Sequence, residues 1–164
     1  MAAIQLRKAG KLEEAKNTII PYIEKNPQDE RAKTSFGWIM YDFLKKAEDN
    51  IDRYCQHLEL FNRYITIDFH SPNEYMKTLK DAIFWSIDRV VKDSEENTNK
   101  IFAPFIKLCG NFRGAIFEKR AGTAQYRDPA RLLVKEFFRN LDSKNYFQFV
   151  NYIGFDWFTR RDYE

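Results

Sequence analysis

The sequence has little glycine and proline, two cysteines and no long apolar run. Six glycines and five prolines make 11 of 164 residues, about half the usual share, which disfavours a turn-rich sandwich or barrel and favours long helices. No stretch approaches the roughly 18 to 20 apolar residues of a membrane span, and the N-terminus lacks the apolar core of a signal peptide. These absences predict a soluble cytoplasmic protein that does not contact a membrane.

The two cysteines do not form a metal-binding pattern. Cys55 and Cys109 lie far apart, and neither has a second cysteine at short spacing. A zinc site would therefore need His57 and His70 as its other ligands. Because unpaired cysteines are among the most buried residues, we expect two reduced core thiols, no metal and no cofactor.

The residues that are present predict an all-α protein. The length fits one domain, 1–164, with a core that buries roughly two thirds of the unfolded surface. Apolar residues recur at spacings of three and four, and no stretch of four to eight residues alternates as a strand does. We expect about seven or eight helices. Aromatic residues, at 16%, are unusually frequent.

The clearest organisation lies at the start of the chain. Apolar residues with helical spacing run from Ala3 to Ile23, and Gly10 interrupts them, which predicts two antiparallel helices joined by a tight turn. Pro27 ends the second helix, and a third begins at Asp29. On this third helix Trp38 and Tyr41 fall on a different face from the stripe that is expected to be buried, which consists of Phe36, Met40, Phe43 and Leu44.

This segment resembles the tetratricopeptide repeat (TPR), a 34-residue pair of antiparallel helices. The matching positions of the first repeat are Ala3, Gly10, Leu12, Ala15, Ile19 and Pro27, and those of a second are Phe36, Gly37 and Met40. The match covers about residues 1–44 and then fails, since Asp49 stands where a small residue is expected. The next helix-ending proline is Pro72, so the second unit must be longer than the family's pattern. The resemblance implies TPR-like antiparallel hairpins in an α-α superhelix.

The rest of the chain is expected to consist of divergent, longer C-terminal helices. We divide the domain into a TPR-like part (1–48), long helices (49–92) and a divergent helical part with a basic loop (93–164). The first expected elements are a helix over Asn50–Thr66, a helix that a Ser71–Glu74 capping box opens and that runs to about Val91, and a polar linker over Lys92–Lys100. We then expect a helix over Ile101–Cys109 with Pro104 near its first turn, and a loop over 110–128 with one helical turn around Ile116–Arg120. The last two expected helices begin at Pro129, after a cap at Asp128, and at a cap formed by Ser143, and the second of them ends at Gly154. Because Met1 falls inside a repeat helix and Glu164 follows a cap-like sequence, Thr159–Asp162, we expect a fragment of a longer protein.

No catalytic signature is present, so we expect no enzyme. Nucleophile elbows, phosphate loops, metalloprotease helices and dinucleotide fingerprints place their groups at fixed offsets, and none of these patterns occurs. Arg63 and His70 have the spacing of an Arg and a His in a class of helical ribonucleases. Because His70 immediately precedes a helix cap, a loop or capping role is the favoured interpretation.

Basic residues are concentrated in residues 100–139. This segment has nine basic and three acidic residues, a balance of +6 within a chain of net +3. Interleaved aromatic rings offer stacking surfaces for single-stranded nucleic acid. The alternative function is therefore binding of RNA or single-stranded DNA, through Arg113, Lys119, Arg120, Arg127 and Arg131. A solvated helical face with buried aromatics is equally compatible with the same residues.

The main functional hypothesis is a non-catalytic protein–protein interaction or scaffold module. The TPR resemblance implies that the first helix of each unit lines a concave groove for a protein or peptide partner. The groove-facing residues are then Ile4, Arg7 and Lys8 in the first unit and Arg31, Thr34, Trp38, Tyr41 and Asp42 in the second. Rigid aromatics and arginines are typical of binding hot spots. Packing of Trp38 under the following helix is the competing interpretation.

Overall fold

A computed structural model describes residues 2–65, 67–68, 74–113 and 129–153. The described residues form eight α-helices and one two-residue parallel pairing of strands, so the chain is all-α as predicted. The helices are α1 (Ala2–Lys8), α2 (Leu12–Lys25), α3 (Glu30–Lys46), α4 (Ile51–Tyr64), α5 (Glu74–Val91), α6 (Glu95–Asn111), α7 (Pro129–Asn140) and α8 (Ser143–Ile153); the strands are β1 (Ile67–Asp68) and β2 (Phe112–Arg113). No helix in these ranges combines the length and apolarity needed to cross a bilayer.

The helices pack in an alternating order. Helix α1 pairs with α2, α3 with α4, and α5 with α6. The odd-numbered helices also contact one another, α3 lying between α1 and α5, and α5 between α3 and α7. Of the even-numbered helices, α4 packs on α6 and α6 on α8. The odd-numbered helices therefore form a continuous row, in which neighbouring helices can share a surface.

The start of the chain folds as its sequence predicts. Gly10 has φ +76°, a left-handed conformation that glycine adopts without strain, and it turns α1 into α2. Asp29 caps α3, accepting a hydrogen bond from the Ala32 amide at 3.0 Å. Ala3 and Ala15 are fully buried where α1 and α2 approach. Helix α4 packs along one side, since Tyr54, Leu58 and Phe61 are buried and Ile51 is partly buried.

Gly37 allows a close approach of three helices. A Cβ at this position of α3 would overlap Leu79 Cδ2 of α5 and lie 3.4 Å from Phe61 Cε2 of α4. Both neighbours are fully buried. A residue with a side chain at this position would therefore force the buried Leu79 side chain to move from its place between α3 and α5.

The phenylalanines explain much of the aromatic content. Phe105 of α6 stacks on Phe137 of α7 at 4.2 Å between ring centroids, with an interplanar angle of 10°. Phe149 of α8 packs on both, and Phe102 contacts Phe137 and Phe149. This phenylalanine cluster of Phe102, Phe105, Phe137 and Phe149 belongs to the same core that begins at Ala3.

The polar linker predicted over Lys92–Lys100 is wrong, because α6 already begins at Glu95. Ser94 caps this helix, its Oγ accepting from the Asn97 amide at 3.1 Å. Asn97 and Thr98 then hydrogen-bond back to the carbonyls of Val90 and Val91 at the end of α5. The polar residues of this stretch therefore form the first turn of α6, and their side chains hydrogen-bond to the end of α5.

The early start of α6 places Pro104 inside the helix, which corrects the expectation that it lies in the first turn. Proline has no N–H, so the carbonyl of Lys100 loses its intrahelical donor. The thiol of Cys55 on α4 donates to this carbonyl at 3.7 Å. On the same side, Asn62 of α4 donates to the Pro104 carbonyl at 3.0 Å. Side chains of the neighbouring helix α4 therefore supply hydrogen-bond donors where the proline leaves α6 without one.

Two further expectations for the C-terminal part are corrected. Asp142, not Ser143, caps α8, since Asp142 Oδ1 accepts from the Asn145 amide at 2.9 Å. The C-terminal helices are also not uniformly longer, because α7 and α8 have 12 and 11 residues against 18 in α5. Other expected features lie outside the described residues, namely the caps at Ser71–Asn73 and Asp128, the loop and helical turn within 114–128, Gly154 and Thr159–Asp162.

Candidate protein-binding groove

Trp38 and Tyr41 form an aromatic pair on α3. Their spacing of three residues places them side by side on the helix, and the rings meet edge to face at 5.5 Å with an interplanar angle of 85°. Both side chains are partly buried, with one side packed against the core. Such a geometry adds about 0.5–1.5 kcal/mol to simple burial and restricts both rings.

Arg7 of α1 holds the Trp38 side of this pair. Its Nε donates to Asp42 Oδ2 at 2.7 Å and its Nη2 to Oδ1 at 3.2 Å, so the two planar groups are paired at two points. The Arg7 guanidinium carbon also lies 5.7 Å from the centre of the Trp38 ring, within the range of a cation–π contact. Arg7 therefore positions the tryptophan, and most of its charge is balanced by Asp42.

Arg89 of α5 approaches the Tyr41 side. Its Nη2 donates to Glu48 Oε1 at 2.7 Å, and its Nε lies 3.1 Å from both carboxylate oxygens. The hydrogen bond to Glu48 is the main cause that raises the pKa of Arg89, and the neighbouring Tyr41 raises it further. A second arginine–carboxylate pair thus borders the aromatic pair.

A series of buried hydrogen bonds holds Glu48 on the side that faces the core. Ser86 of α5 donates to Glu48 Oε1 at 2.9 Å, and the Tyr54 hydroxyl of α4 lies 2.9 Å from Ser86 Oγ. Tyr54 and Ser86 are fully buried, and burial strongly raises the pKa of the Tyr54 hydroxyl. Because a buried polar group is costly when unpaired, this series restricts where Glu48 and Arg89 can lie.

An open cleft of about 320 Å³ adjoins the Arg7–Asp42 pair. It lies where the end of α1, the turn at Gly10 and the last turn of α3 meet. Its lining residues are Arg7, Gly10, Leu12, Asp42, Lys45 and Lys46. The cleft adjoins the aromatic pair, since Arg7 lines the cleft and also lies over the Trp38 ring.

The structure brings together part of the predicted groove. Arg7 contacts both Asp42 and Trp38, and Trp38 contacts Tyr41, so these four residues lie together. Arg31 lies seven residues before Trp38, about 10 Å along the helix axis, and it lowers the pKa of the capping Asp29 as a minor electrostatic contribution.

The other two predicted groove residues have simpler environments. Lys8 is exposed in the last turn of α1. Thr34 is half-buried, and its hydroxyl donates to the Glu30 carbonyl at 2.8 Å. Lys8 is thus the more accessible cation on α1, whereas Arg7 is paired with Asp42.

Sequence reasoning missed Arg89, Glu48 and Ser86. The repeat resemblance ends near residue 44, so it assigned no groove position to α5. If α5 had been treated as the first helix of a third unit, next to α3, the basic residue of its last turn, Arg89, would have been a candidate groove residue. Glu48 gave no signal, because it follows α3 in a short turn and resembles an ordinary surface carboxylate.

The candidate metal and catalytic residues lie in separate places. Cys55 has its pKa raised to about 11, chiefly by burial, and Cys109 is buried on α6. The ring of His57 on α4 contacts that of Phe43 at 5.0 Å between centroids, tilted by 35°, and burial lowers the pKa of His57, with Lys16 and Arg53 adding to this. Within the described side chains no three His, Cys, Asp or Glu residues are grouped to hold a metal ion. Arg63 is exposed on α4, and His70 lies outside the described residues.

The proposed nucleic-acid contacts cannot be placed together in the same way. The side chains of Arg113, Lys119, Arg120, Arg127 and Arg131 lie outside the described part of the chain. Two other cations of the segment are paired: Lys100 Nζ lies 3.1 Å from Glu96, and Arg139 lies 3.6 Å from Glu136. At these two positions the excess positive charge is partly balanced.

Comparisons with known proteins give no relative from which a function could be transferred. The chain matches no model of a protein family, no curated protein and no solved structure.

Proposed function

We propose that this chain is a non-catalytic protein–protein interaction module of TPR-like type. The groove is formed by α1, α3 and α5, and it binds a peptide or helix of a protein partner. The Trp38–Tyr41 pair is the anchor of this groove. The observation that carries the proposal is that this pair is partly exposed yet lies between two arginines of the neighbouring helices α1 and α5, each paired with a carboxylate on α3 or in the turn after it.

Restriction of the aromatic pair favours binding. A flexible aromatic side chain loses conformational entropy when it contacts a partner, by about 0.5–1.5 kcal/mol for each immobilised side chain. Trp38 is already held by Arg7 and Tyr41 in the unbound chain. Large, rigid aromatics beside arginines are the residues that most often dominate the binding energy of an interface.

The helix order supports the repeat-type proposal. In a stack of helical hairpins, each first helix contacts the first helix of the next unit, and α1, α3, α5 and α7 do so here. The small residues Ala3, Ala15 and Gly37 lie at close helix approaches, in agreement with their places in the TPR pattern. The units differ in length, since α1 has 7 residues and α3 has 17.

The proposal is tested by comparing Trp38→Ala with Phe147→Ala in affinity capture. Phe147 on α8 is 67% exposed and lies outside the groove, so its truncation is a matched control for loss of an aromatic ring. We expect the unchanged chain and Phe147→Ala to retain the same nuclease-resistant protein partners, and Trp38→Ala to lose them. A loss of about 2 kcal/mol or more, roughly thirtyfold in affinity, is typical of a hot-spot tryptophan.

Thermal unfolding must accompany the capture. Trp38→Ala is expected to stay folded at the assay temperature, because Trp38 is only partly buried. If it unfolds, Tyr41→Phe, which keeps the ring and removes the hydroxyl next to Arg89, replaces it as the test. Equal capture by folded Trp38→Ala and by the unchanged chain contradicts the proposal, as does loss of every bound species on nuclease treatment.

A further inference from the structure

The cleft beside the aromatic pair is positively charged. Three of its six lining residues are cations, Arg7, Lys45 and Lys46, and one is an anion, Asp42. Asp42 is already paired at two points with Arg7. Lys45 and Lys46 therefore give the cleft a net charge of about +2.

No carboxylate of the described residues pairs with either lysine of the cleft. Both are exposed in the last turn of α3, where the helix dipole favours cations. Lys16, Lys80 and Lys100, in contrast, each have an acidic partner within the chain. The two cleft lysines are therefore available to pair with a carboxylate of a partner.

The cleft lies at a defined distance from the aromatic anchor. Lys45 follows Trp38 by seven residues, which is about 10 Å along α3. An extended peptide advances about 3.3 Å per residue, so about three residues cover this distance. Because Arg7 and Asp42 border both places, one peptide running along α3 can contact the aromatic pair and the cleft at the same time.

We propose that the partner of this groove is an acidic peptide segment. Its large apolar side chain packs on Trp38 and Tyr41, and an Asp or Glu about three residues away lies in the cleft between Lys45 and Lys46. This inference rests on the proposed function, and it specifies the chemistry of the partner. The recognition combines apolar packing, which depends little on salt, with exposed ion pairs, which salt weakens.

The experiment uses an array of fluorescein-labelled eight-residue peptides in matched pairs. Each pair has the same Leu, Phe or Trp anchor, and two Asp or Glu residues centred three positions away are replaced by Asn or Gln in the second member. Both chain directions are included. Binding to the whole chain is measured by fluorescence anisotropy at 50 mM and 300 mM NaCl. An RNA oligonucleotide of mixed sequence serves as a competing polyanion.

Three variants accompany the unchanged chain. Lys45→Gln/Lys46→Gln removes both cleft cations, and Lys25→Gln/Lys92→Gln removes two exposed cations elsewhere with the same change in net charge. Trp38→Ala removes the anchor. We expect acidic peptides to bind more tightly than their amide partners, and only the cleft double variant to lower that preference, by roughly three- to thirtyfold for two exposed ion pairs.

The outcomes separate this inference from the proposed function. If anchor-containing peptides bind in a Trp38-dependent way but acidic and amide members bind equally, the groove stands and the acidic partner is wrong. An equal loss of acidic preference in both double variants also overturns the inference, because it reflects net charge alone. If no peptide binds, or the RNA oligonucleotide binds more tightly and Trp38→Ala has no effect, both proposals are wrong.

Discussion

Gly37→Ala tests how closely α3 and α5 must approach to form the groove. The added methyl group would overlap Leu79 Cδ2. Leu79 is fully buried, so its side chain cannot turn into solvent. Inserting a methyl group into a packed core costs about 1–3 kcal/mol, whereas replacing glycine by alanine within a helix gains about 1 kcal/mol. We therefore expect a net loss of about 1 kcal/mol, a fall in Tm of roughly 2–4 °C for a chain of this size.

The same substitution in a Leu79→Ala background isolates the cause. Leu79→Ala alone should cost about 2–5 kcal/mol, because it leaves a cavity between α3 and α5. In that background the methyl group of residue 37 no longer meets Leu79 Cδ2, and Phe61 Cε2 lies at 3.4 Å, an ordinary van der Waals distance. Gly37→Ala should then be neutral or stabilising by up to about 1 kcal/mol.

The assay is urea unfolding of the four chains of this cycle, followed by far-UV circular dichroism. The coupling free energy between the two positions should be about 1–2 kcal/mol, with the double variant more stable than the sum of the single variants predicts. A coupling near zero, or a wild-type background in which Gly37→Ala raises stability, would refute the reasoning from close approach.

Two further predictions concern contacts of α6. Asn99→Ala should lower the free energy of unfolding by roughly 1–3 kcal/mol, because Asn99 donates to the Asn140 carbonyl at 3.1 Å and accepts from the Asp142 amide at 2.9 Å. Hydrogen exchange at the Asp142 amide should become faster in this variant. Unchanged exchange at that amide would contradict the contact. Cys55 should react with iodoacetamide at pH 8 on the order of a hundredfold more slowly than an unperturbed thiol, since its pKa is raised to about 11 and the thiolate is the reactive form. Its rate should climb as the pH rises toward 11, and stability should fall over the same range above about pH 8.5, because the folded chain retains a proton that the unfolded chain releases. Mass spectrometry of the alkylated peptide gives the rate, and reaction at the rate of a free thiol at pH 8 would contradict the raised pKa.

Much of the fold was predictable because it depends on local patterns. Gly10 and Asp29 act through their own backbone and nearest neighbours, so the boundaries of α1, α2 and α3 followed from the sequence. The boundary of α6 did not, since Pro104 lies inside the helix, where the thiol of Cys55, 49 positions earlier, donates to the Lys100 carbonyl that the proline leaves without its intrahelical donor. A prediction based on the position of proline alone does not take that distant thiol into account.

The candidate site shows the same division. Helical spacing was enough to place Trp38 and Tyr41 together on a face that differs from the main buried stripe. Their fixation depends on Arg7, Asp42 and Arg89, which come from three helices, and the pairings are set by how those helices pack. Sequence spacing within one helix could identify the anchor but not the groups that hold it.

The phenylalanine cluster also determines how the C-terminal half can unfold. A row of helices in contact only with its neighbours could lose its last helix at little cost, as terminal units of repeat proteins often do. Here Phe149 of α8 contacts rings of both α6 and α7, while Phe105 stacks on Phe137. Detaching α8 would expose three buried rings from three helices in one step. We therefore expect α6, α7 and α8 to open as a single cooperative unit, while fraying is confined to the α1 end of the row.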